Sequence, residues 1–166
     1  MGQDYFPIAR AGLEMDIRAP GAPYIVKTPF LCDWLDQALT LAIVIEHAIV
    51  PVRPFEAAAA SRAFVQQQAT GSADGAAKAA GGLWDANSAA EQADVLRRKF
   101  AALVEALVRH DIATTFLSHP RLARDPDYLY GKMRFLLDGV DAPAFKAAFS
   151  QTVRPDLIHQ FTEADR

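Results

Sequence analysis

The apolar run between Pro29 and Pro51 constrains this chain more than any other feature of its sequence. Thr28 followed by Pro29 is typical of a helix start. The threonine hydroxyl can accept a hydrogen bond from a backbone N–H of the first turn, and a proline at the first helical position costs the helix no hydrogen bond. Pro51 is typical of a helix end, because the residue before a proline is displaced from the helical region. The pattern predicts one central helix over residues 30–50, about 30 Å long at about 1.5 Å per residue.

The predicted central helix has a broad apolar face and a narrower polar face when its residues are placed 100° apart. The apolar face comprises Leu31, Trp34, Leu35, Ala38, Leu39, Leu41, Ala42, Ile45 and Ile49. Glu46 projects into this face, whereas His47 lies on the opposite side. We therefore expect Glu46 to be buried and His47 to be exposed.

The distribution of charge argues against a membrane span and against binding of nucleic acid. Asp33, Asp36 and Glu46 interrupt the apolar run, and a charge near the middle of a span costs roughly 2.5–3.5 kcal/mol. The net charge of the chain is −3, so the sequence predicts no basic surface for nucleic acid. We expect a water-soluble protein with neither kind of partner.

Cysteine content points to a reducing compartment. Cys32 is the only cysteine, which excludes an intrachain disulfide, and the N-terminus lacks the layout of a secretory signal. These two features predict a cytoplasmic protein. A thiolate would be favoured at the predicted helix start, but the neighbouring Asp33 and Asp36 oppose this effect, so we favour an unreactive thiol.

The rest of the chain also shows helical patterns. Ser88 and Glu91 have the spacing of a capping box and open the best-formed of these helices. The glycine-rich residues 70–82 form a predicted loop, either a connector or a lid, and we favour the connector. Helices are predicted over about 54–69, 88–111, 127–138, 141–153 and from 155 onward.

The first 27 residues contain proline and glycine and only weak alternation of apolar and polar side chains. Segments 13–18 and 24–27 either pair as a hairpin or lie as an extended arm. We favour the arm, because an isolated two-stranded hairpin is only marginally stable. The predicted fold class is all-α, with an N-terminal arm over 1–27 and a single helical bundle domain of five to seven helices over 28–166.

Glu46 is the strongest candidate for catalysis or metal binding. A carboxylate in an apolar environment has a raised proton affinity, which suits acid–base catalysis. The competing interpretation, which we favour, is a buried ion pair with an arginine such as Arg53, Arg62 or Arg134. Asp156 and His159 have the spacing of two metal ligands on one helix turn, but the chain has no Glu-x-x-His pair of the ferritin-like kind.

Two further side chains are candidate site residues. His110 adjoins Asp111 and could act as a catalytic base or bind haem, although a histidine that ends a helix beside the negative end of its dipole is the simpler interpretation. Tyr128 belongs to an aromatic set that could line a pocket for a flat ligand, and His159 is a second candidate haem ligand. The identity of any cofactor is left open.

Two function classes fit these observations. The favoured one is a non-catalytic interaction or accessory protein that binds a protein partner or another copy of itself through helix faces. The alternative is a small helical-bundle enzyme or cofactor binder, dependent on metal or haem. Its site would bring Glu46 together with His110, or with Asp156 and His159, at an aromatic-lined cavity.

Overall fold

The computed structural model describes residues 15–72, 79–154 and 158. Within these ranges the chain is mostly helical, with five α-helices and a two-stranded parallel sheet, so the strictly all-α prediction is wrong. The elements in chain order are α1 (Leu31–Thr40), β1 (Ala48–Val52), α2 (Phe55–Thr70), α3 (Ala89–Arg109), β2 (Thr114–Ser118), α4 (Pro126–Met133) and α5 (Ala142–Thr152). Short 3-10 helices occupy Arg121–Ala123 and Arg134–Leu136.

The predicted central helix over 30–50 is the main correction. Helix α1 ends at Thr40, where Ile43 N donates to Ala38 O in a Schellman-type turn and Ala42 adopts a positive φ of 57°. The residues that follow are rich in β-branched side chains, which have lower helix propensity and suit strands. The last part of the apolar run therefore becomes β1, whose backbone groups bond to β2.

The described residues divide into two compact units. Unit 1 comprises residues 15–46, 55–72 and 79–112, and contains α1, α2 and α3. Both α1 and α2 pack on α3, and each contributes one buried alanine, Ala38 from α1 and Ala59 from α2. The buried apolar side chains of unit 1 are Leu35, Ala38, Ala59, Ala79, Leu83, Ala86, Ala93, Val95, Ala106 and Leu107.

The predicted start of the longest helix is confirmed. The Ser88 hydroxyl accepts a hydrogen bond from Glu91 N at 3.2 Å, and the Glu91 carboxylate accepts one from Asn87 N at 2.8 Å. The first bond satisfies a backbone N–H in the first turn of the helix, and the second satisfies the N–H of the residue before the N-cap. Helix α3 therefore begins within one residue of its predicted position, and α2 agrees with its prediction equally well.

Unit 2 comprises residues 47–54 together with the described residues from 113 onward. Its two strands are parallel, with Ala48 paired to Thr114 and Val52 paired to Ser118. Helices α4 and α5 pack on each other, and Asp125 and Asp141 cap their N-termini. The sequence patterns predict these two helices, but they do not predict either strand.

Residues 15–27 fold back through a backbone bond from Met15 N to Lys27 O at 3.0 Å. Asp16 and Arg18 anchor this segment, since the guanidinium binds the buried Asp16 carboxylate and lies over the Trp34 ring at 4.4 Å. Residues 1–14, and with them most of the predicted arm, lie outside the described residues. Residues 73–78 of the predicted loop also lie outside the described residues. So does the predicted helix from 155 onward, except for Ile158.

Within the described ranges, no helix combines the length and the apolar character needed to cross a bilayer.

Candidate functional site

Glu46, the strongest candidate from the sequence, is exposed rather than buried. Its carboxylate accepts a hydrogen bond from the Tyr24 hydroxyl, and this bond raises the pKa of Tyr24. The burial prediction is wrong because residue 46 lies between the end of α1 and the start of β1, where a helical projection no longer applies. Among the described residues, the hydrogen-bond partner of Glu46 is Tyr24 and not one of the arginines considered from the sequence.

His110 is the C-cap residue of α3, as the helix-end interpretation requires. Its Nε2 lies 2.7 Å from Asp36 Oδ1, while Arg109 binds the other oxygen of the same carboxylate at 3.1 Å. The hydrogen bond from His110 is the main reason why the pKa of Asp36 is lowered. His110 and Glu46 therefore have different partners in unit 1, and their predicted convergence on one site stays a prediction.

The predicted metal ligands Asp156 and His159 lie outside the described residues. Among the residues that the structure describes, no group of three or more histidine, cysteine, aspartate or glutamate side chains is placed to hold a metal ion. The alternative function, in which Glu46 binds metal or haem together with His110, or with Asp156 and His159, stays a prediction.

Tyr128, the candidate cofactor contact, lies beside the end of β2. Its hydroxyl accepts a hydrogen bond from Ser118 N at 2.8 Å, and the Arg121 guanidinium lies over its ring at 4.2 Å. Arg121 also binds Asp125 at 3.0 Å. Tyr128 thus fixes the backbone where the chain leaves the sheet.

The carboxyl ends of the two strands bring together residues that sequence reasoning did not connect. His119 N donates to Val52 O at 2.8 Å, so the strand ladder extends one residue past β2. Arg53 follows β1 and His119 follows β2, which places both at the same edge of the sheet. Burial, together with the charges of Arg53 and Arg124, lowers the pKa of His119. No sequence signal could reveal this group without the parallel pairing.

His47 is half-buried rather than exposed. Its Nε2 lies 2.9 Å from the Thr115 hydroxyl oxygen, and its ring stacks on Phe135. The expected exposure of His47 is wrong for the same reason as the expected burial of Glu46. Residue 47 directly precedes β1 and does not lie within a helix.

Comparisons with known proteins assign this chain to no family. No family model, curated protein or solved structure matches this chain. The contacts and charges of the described residues are therefore the basis for a proposed function.

A shallow depression of about 250 Å³ lies on unit 1 beside α3. Lys99 occupies it, bonded to Asp33 at 2.8 Å and to Asp85 at 3.4 Å, with its ammonium group 4.2 Å from the centre of the Trp84 ring. The charged groups in this depression neutralise one another, so it has the character of a surface ion-pair network rather than of a binding pocket.

Besides Val108 on α3, four large apolar side chains of unit 1 are more than half exposed: Tyr24 by 79%, Ile25 by 75%, Leu41 by 58% and Val44 by 83%. The bond between Tyr24 and Glu46 holds the segment around residue 24 beside the segment that follows α1. We call these four side chains the apolar surface. Exposed apolar side chains that lie close together mark interaction sites more often than scattered ones do.

Proposed function

We propose that this chain is a non-catalytic interaction protein that binds a second copy of itself through the apolar surface. The exposure of Tyr24, Ile25, Leu41 and Val44 is the observation that carries the proposal, because a folded chain gains by removing such side chains from water. Each side chain that becomes fully buried contributes about 1.5–3 kcal/mol.

The charges beside the apolar surface favour a second copy as the occupant. Lys27 and Glu46 are both exposed and have opposite charges. A two-fold symmetric interface brings each patch against the same patch of its partner, so the lysine of one copy can face the glutamate of the other. The net charge of −3 is small and opposes such a dimer only weakly. We place this function in the cytoplasm, because Cys32 is the only cysteine of the chain. We propose that it involves no nucleic-acid partner.

The test is the mass of the full chain in solution, measured by light scattering over a range of concentrations. We expect a mass near twice 18.1 kDa at tens of micromolar for the native sequence. Val44→Asp and Ile25→Asp should each weaken the dimer about tenfold or more. Val140→Asp, on an apolar residue of unit 2 that is 38% exposed, is the matched control and should leave the dimer intact.

Circular dichroism and a urea denaturation curve show whether each variant is folded. A native chain that stays monomeric at every concentration would contradict self-association, as would a Val44→Asp variant that dimerises as strongly as the native chain. In either case another protein would have to be the occupant of this surface.

A further inference from the structure

The chain that leaves the end of α4 in unit 2 is exposed over several successive residues. Arg134, Phe135 and Leu136 form the second 3-10 helix, and all three side chains are exposed. Successive side chains of a 3-10 helix point about 120° apart, so three exposed neighbours indicate a turn that protrudes. Leu137 N donates to Arg134 O at 3.2 Å and Val140 N donates to Leu137 O at 3.0 Å, so the residues that follow form a second tight turn.

This protruding segment combines apolar side chains with positive charge. Phe135 is exposed by 46%, Leu136 by 43% and Val140 by 38%. Lys132 and Arg134 are exposed beside them, and neither forms an ion pair in the part of the chain that the structure describes. We call these five side chains the basic turn.

The carboxylates near the basic turn leave it with a small positive charge. Asp127 binds Lys146 at 2.7 Å, and Asp141 accepts a hydrogen bond from Ala144 N at the start of α5. Residues 132–140 themselves contain two basic side chains and one acidic one, that of Asp138, which is exposed. A negatively charged partner therefore fits this surface better than a positively charged one.

We propose that the basic turn binds the surface of an anionic lipid membrane. Apolar side chains of a protruding segment can enter the boundary between headgroups and acyl chains, while lysine and arginine extend to the negative headgroups. The cytoplasmic leaflet carries a negative surface potential that attracts nearby lysine and arginine side chains. The partner therefore agrees with the compartment proposed above.

The small size of the basic turn favours a lipid surface over a protein partner. A stable protein–protein interface takes about 20–30 residues from each side. A fluid membrane surface adapts to a single turn, and each side chain that enters it or approaches it contributes separately. Since only two cations and three partly exposed apolar side chains take part, we expect weak, reversible binding that decreases as salt screens the charges.

The test is sedimentation of the full chain with vesicles of phosphatidylcholine, with and without phosphatidylserine, over a range of lipid concentrations. We expect binding to the vesicles that contain phosphatidylserine, little binding to phosphatidylcholine alone, and a loss of binding as salt is added. Arg134→Gln should weaken binding about fivefold. Asp138→Asn removes the only acidic side chain of residues 132–140 and should strengthen binding by a similar factor.

Arg98→Gln is the matched control, because Arg98 is an exposed arginine of unit 1, and this variant should bind as the native chain does. Leu136→Asn tests the apolar contribution without a change of charge and should weaken binding about threefold or more. Circular dichroism shows whether each variant is folded.

Equal sedimentation with the two kinds of vesicle would overturn the proposal, as would equal effects of Arg134→Gln and Arg98→Gln. A folded Leu136→Asn variant that binds as strongly as the native chain would contradict the entry of apolar side chains into the membrane. No sedimentation with the acidic vesicles would also overturn the proposal, and an acidic protein surface would then have to be the partner of the basic turn.

Discussion

The imidazole of His47 lies almost parallel to the phenyl ring of Phe135, with ring centroids 3.9 Å apart and planes 25° apart. The imidazole Nε2 is held at the same time by the Thr115 hydroxyl, 2.9 Å away on β2. The ring is thus fixed on one face by an aromatic group and at one atom by the sheet. This arrangement ties the residue before β1 to the second 3-10 helix within unit 2.

Phe135→Leu tests this stacking. The variant keeps an apolar side chain but removes the ring, and we expect it to lower the free energy of unfolding by about 0.5–1.5 kcal/mol. Urea denaturation measures this change. NMR should also show a shift of the His47 ring protons as the ring current of Phe135 is lost, while His110 stays unchanged as an internal control. A His47 spectrum identical to that of the native chain would contradict the stack.

Ser88→Ala tests the cap of α3. The hydroxyl accepts a bond from Glu91 N, and its loss leaves a backbone N–H at the helix start without that partner. We expect a loss of about 1 kcal/mol in the free energy of unfolding, and Ser88→Asp should restore most of it. Ser150→Ala is the control, because the hydroxyl of Ser150 binds Lys146 O within α5 and caps no helix end. Equal effects of the two alanine variants would show that the cap contributes nothing.

Gly82→Ala tests the close packing of the loop before α3. A Cβ at this position would lie 2.3 Å from Gln66 Oε1, nearer than van der Waals contact allows, and 3.1 Å from Ala79 O, which is a tight contact. Gln66 is fully buried, so it has little room to move, and we expect a loss of about 1–3 kcal/mol in stability.

The matched control for this overpacking is Gly131→Ala in α4. A Cβ there meets no atom within 4 Å, so alanine should stabilise the helix by about 0.5–1 kcal/mol through its higher propensity. Thermal denaturation of both variants measures the contrast. A Gly82→Ala variant as stable as the native chain would mean that this part of unit 1 is loosely packed.

Asp16→Asn tests the pH dependence of stability. The pKa of Asp16 is lowered, mainly by its hydrogen bond with Arg18, which outweighs the effect of burial. A carboxyl whose pKa is lower in the folded state stabilises the fold above its unfolded pKa of about 4, and this contribution disappears as the pH falls through the lower folded value. The native chain should therefore exceed the variant in stability most clearly near neutral pH, and the difference should shrink below about pH 4.

Urea denaturation at several pH values measures this difference. Asp94→Asn is the control, since the Asp94 side chain is 65% exposed and its ion pair with Arg97 contributes little. A stability difference between the native chain and Asp16→Asn that is independent of pH would contradict the role of the charged carboxylate.

Cys32 should be an inert thiol in the folded chain. Burial, and secondarily the charge of Asp33, raises its pKa to about 11. At pH 8 the thiolate fraction should therefore be roughly a hundredfold below that of an unperturbed cysteine, and alkylation by iodoacetamide should be slowed accordingly. The control is the same reaction in denaturant, which should restore the ordinary rate. Rapid alkylation of the folded chain at pH 8 would contradict this protected environment.

The sequence was sufficient where local chemistry decides the structure. Ser88 and Glu91 specify a helix start through bonds within one turn, and the apolar spacing that follows specifies which face is buried. Asp125 and Asp141 cap α4 and α5 in the same local manner, close to the predicted starts. Helical content and the order of the helices in the described ranges therefore follow from the sequence.

Tertiary pairing decided what happens between Ala42 and Val52. An apolar segment rich in β-branched residues satisfies its backbone either within a helix or against another strand, and periodicity alone does not distinguish these outcomes over so short a length. The partner strand, Thr114–Ser118, lies more than 60 residues away in the chain, and its Thr115 bonds the His47 ring that stacks on Phe135.

The apolar surface, too, depends on contacts between residues that are far apart in the chain. The four exposed side chains of the apolar surface come from two segments whose proximity rests on the bond between Tyr24 and Glu46. Arg53 and His119 leave the sheet at the same end only because β1 and β2 are parallel. The sequence by itself determined the helices, because their stabilising bonds are local. Only the tertiary structure decided the sheet and the apolar surface, because their contacts join residues far apart in the chain.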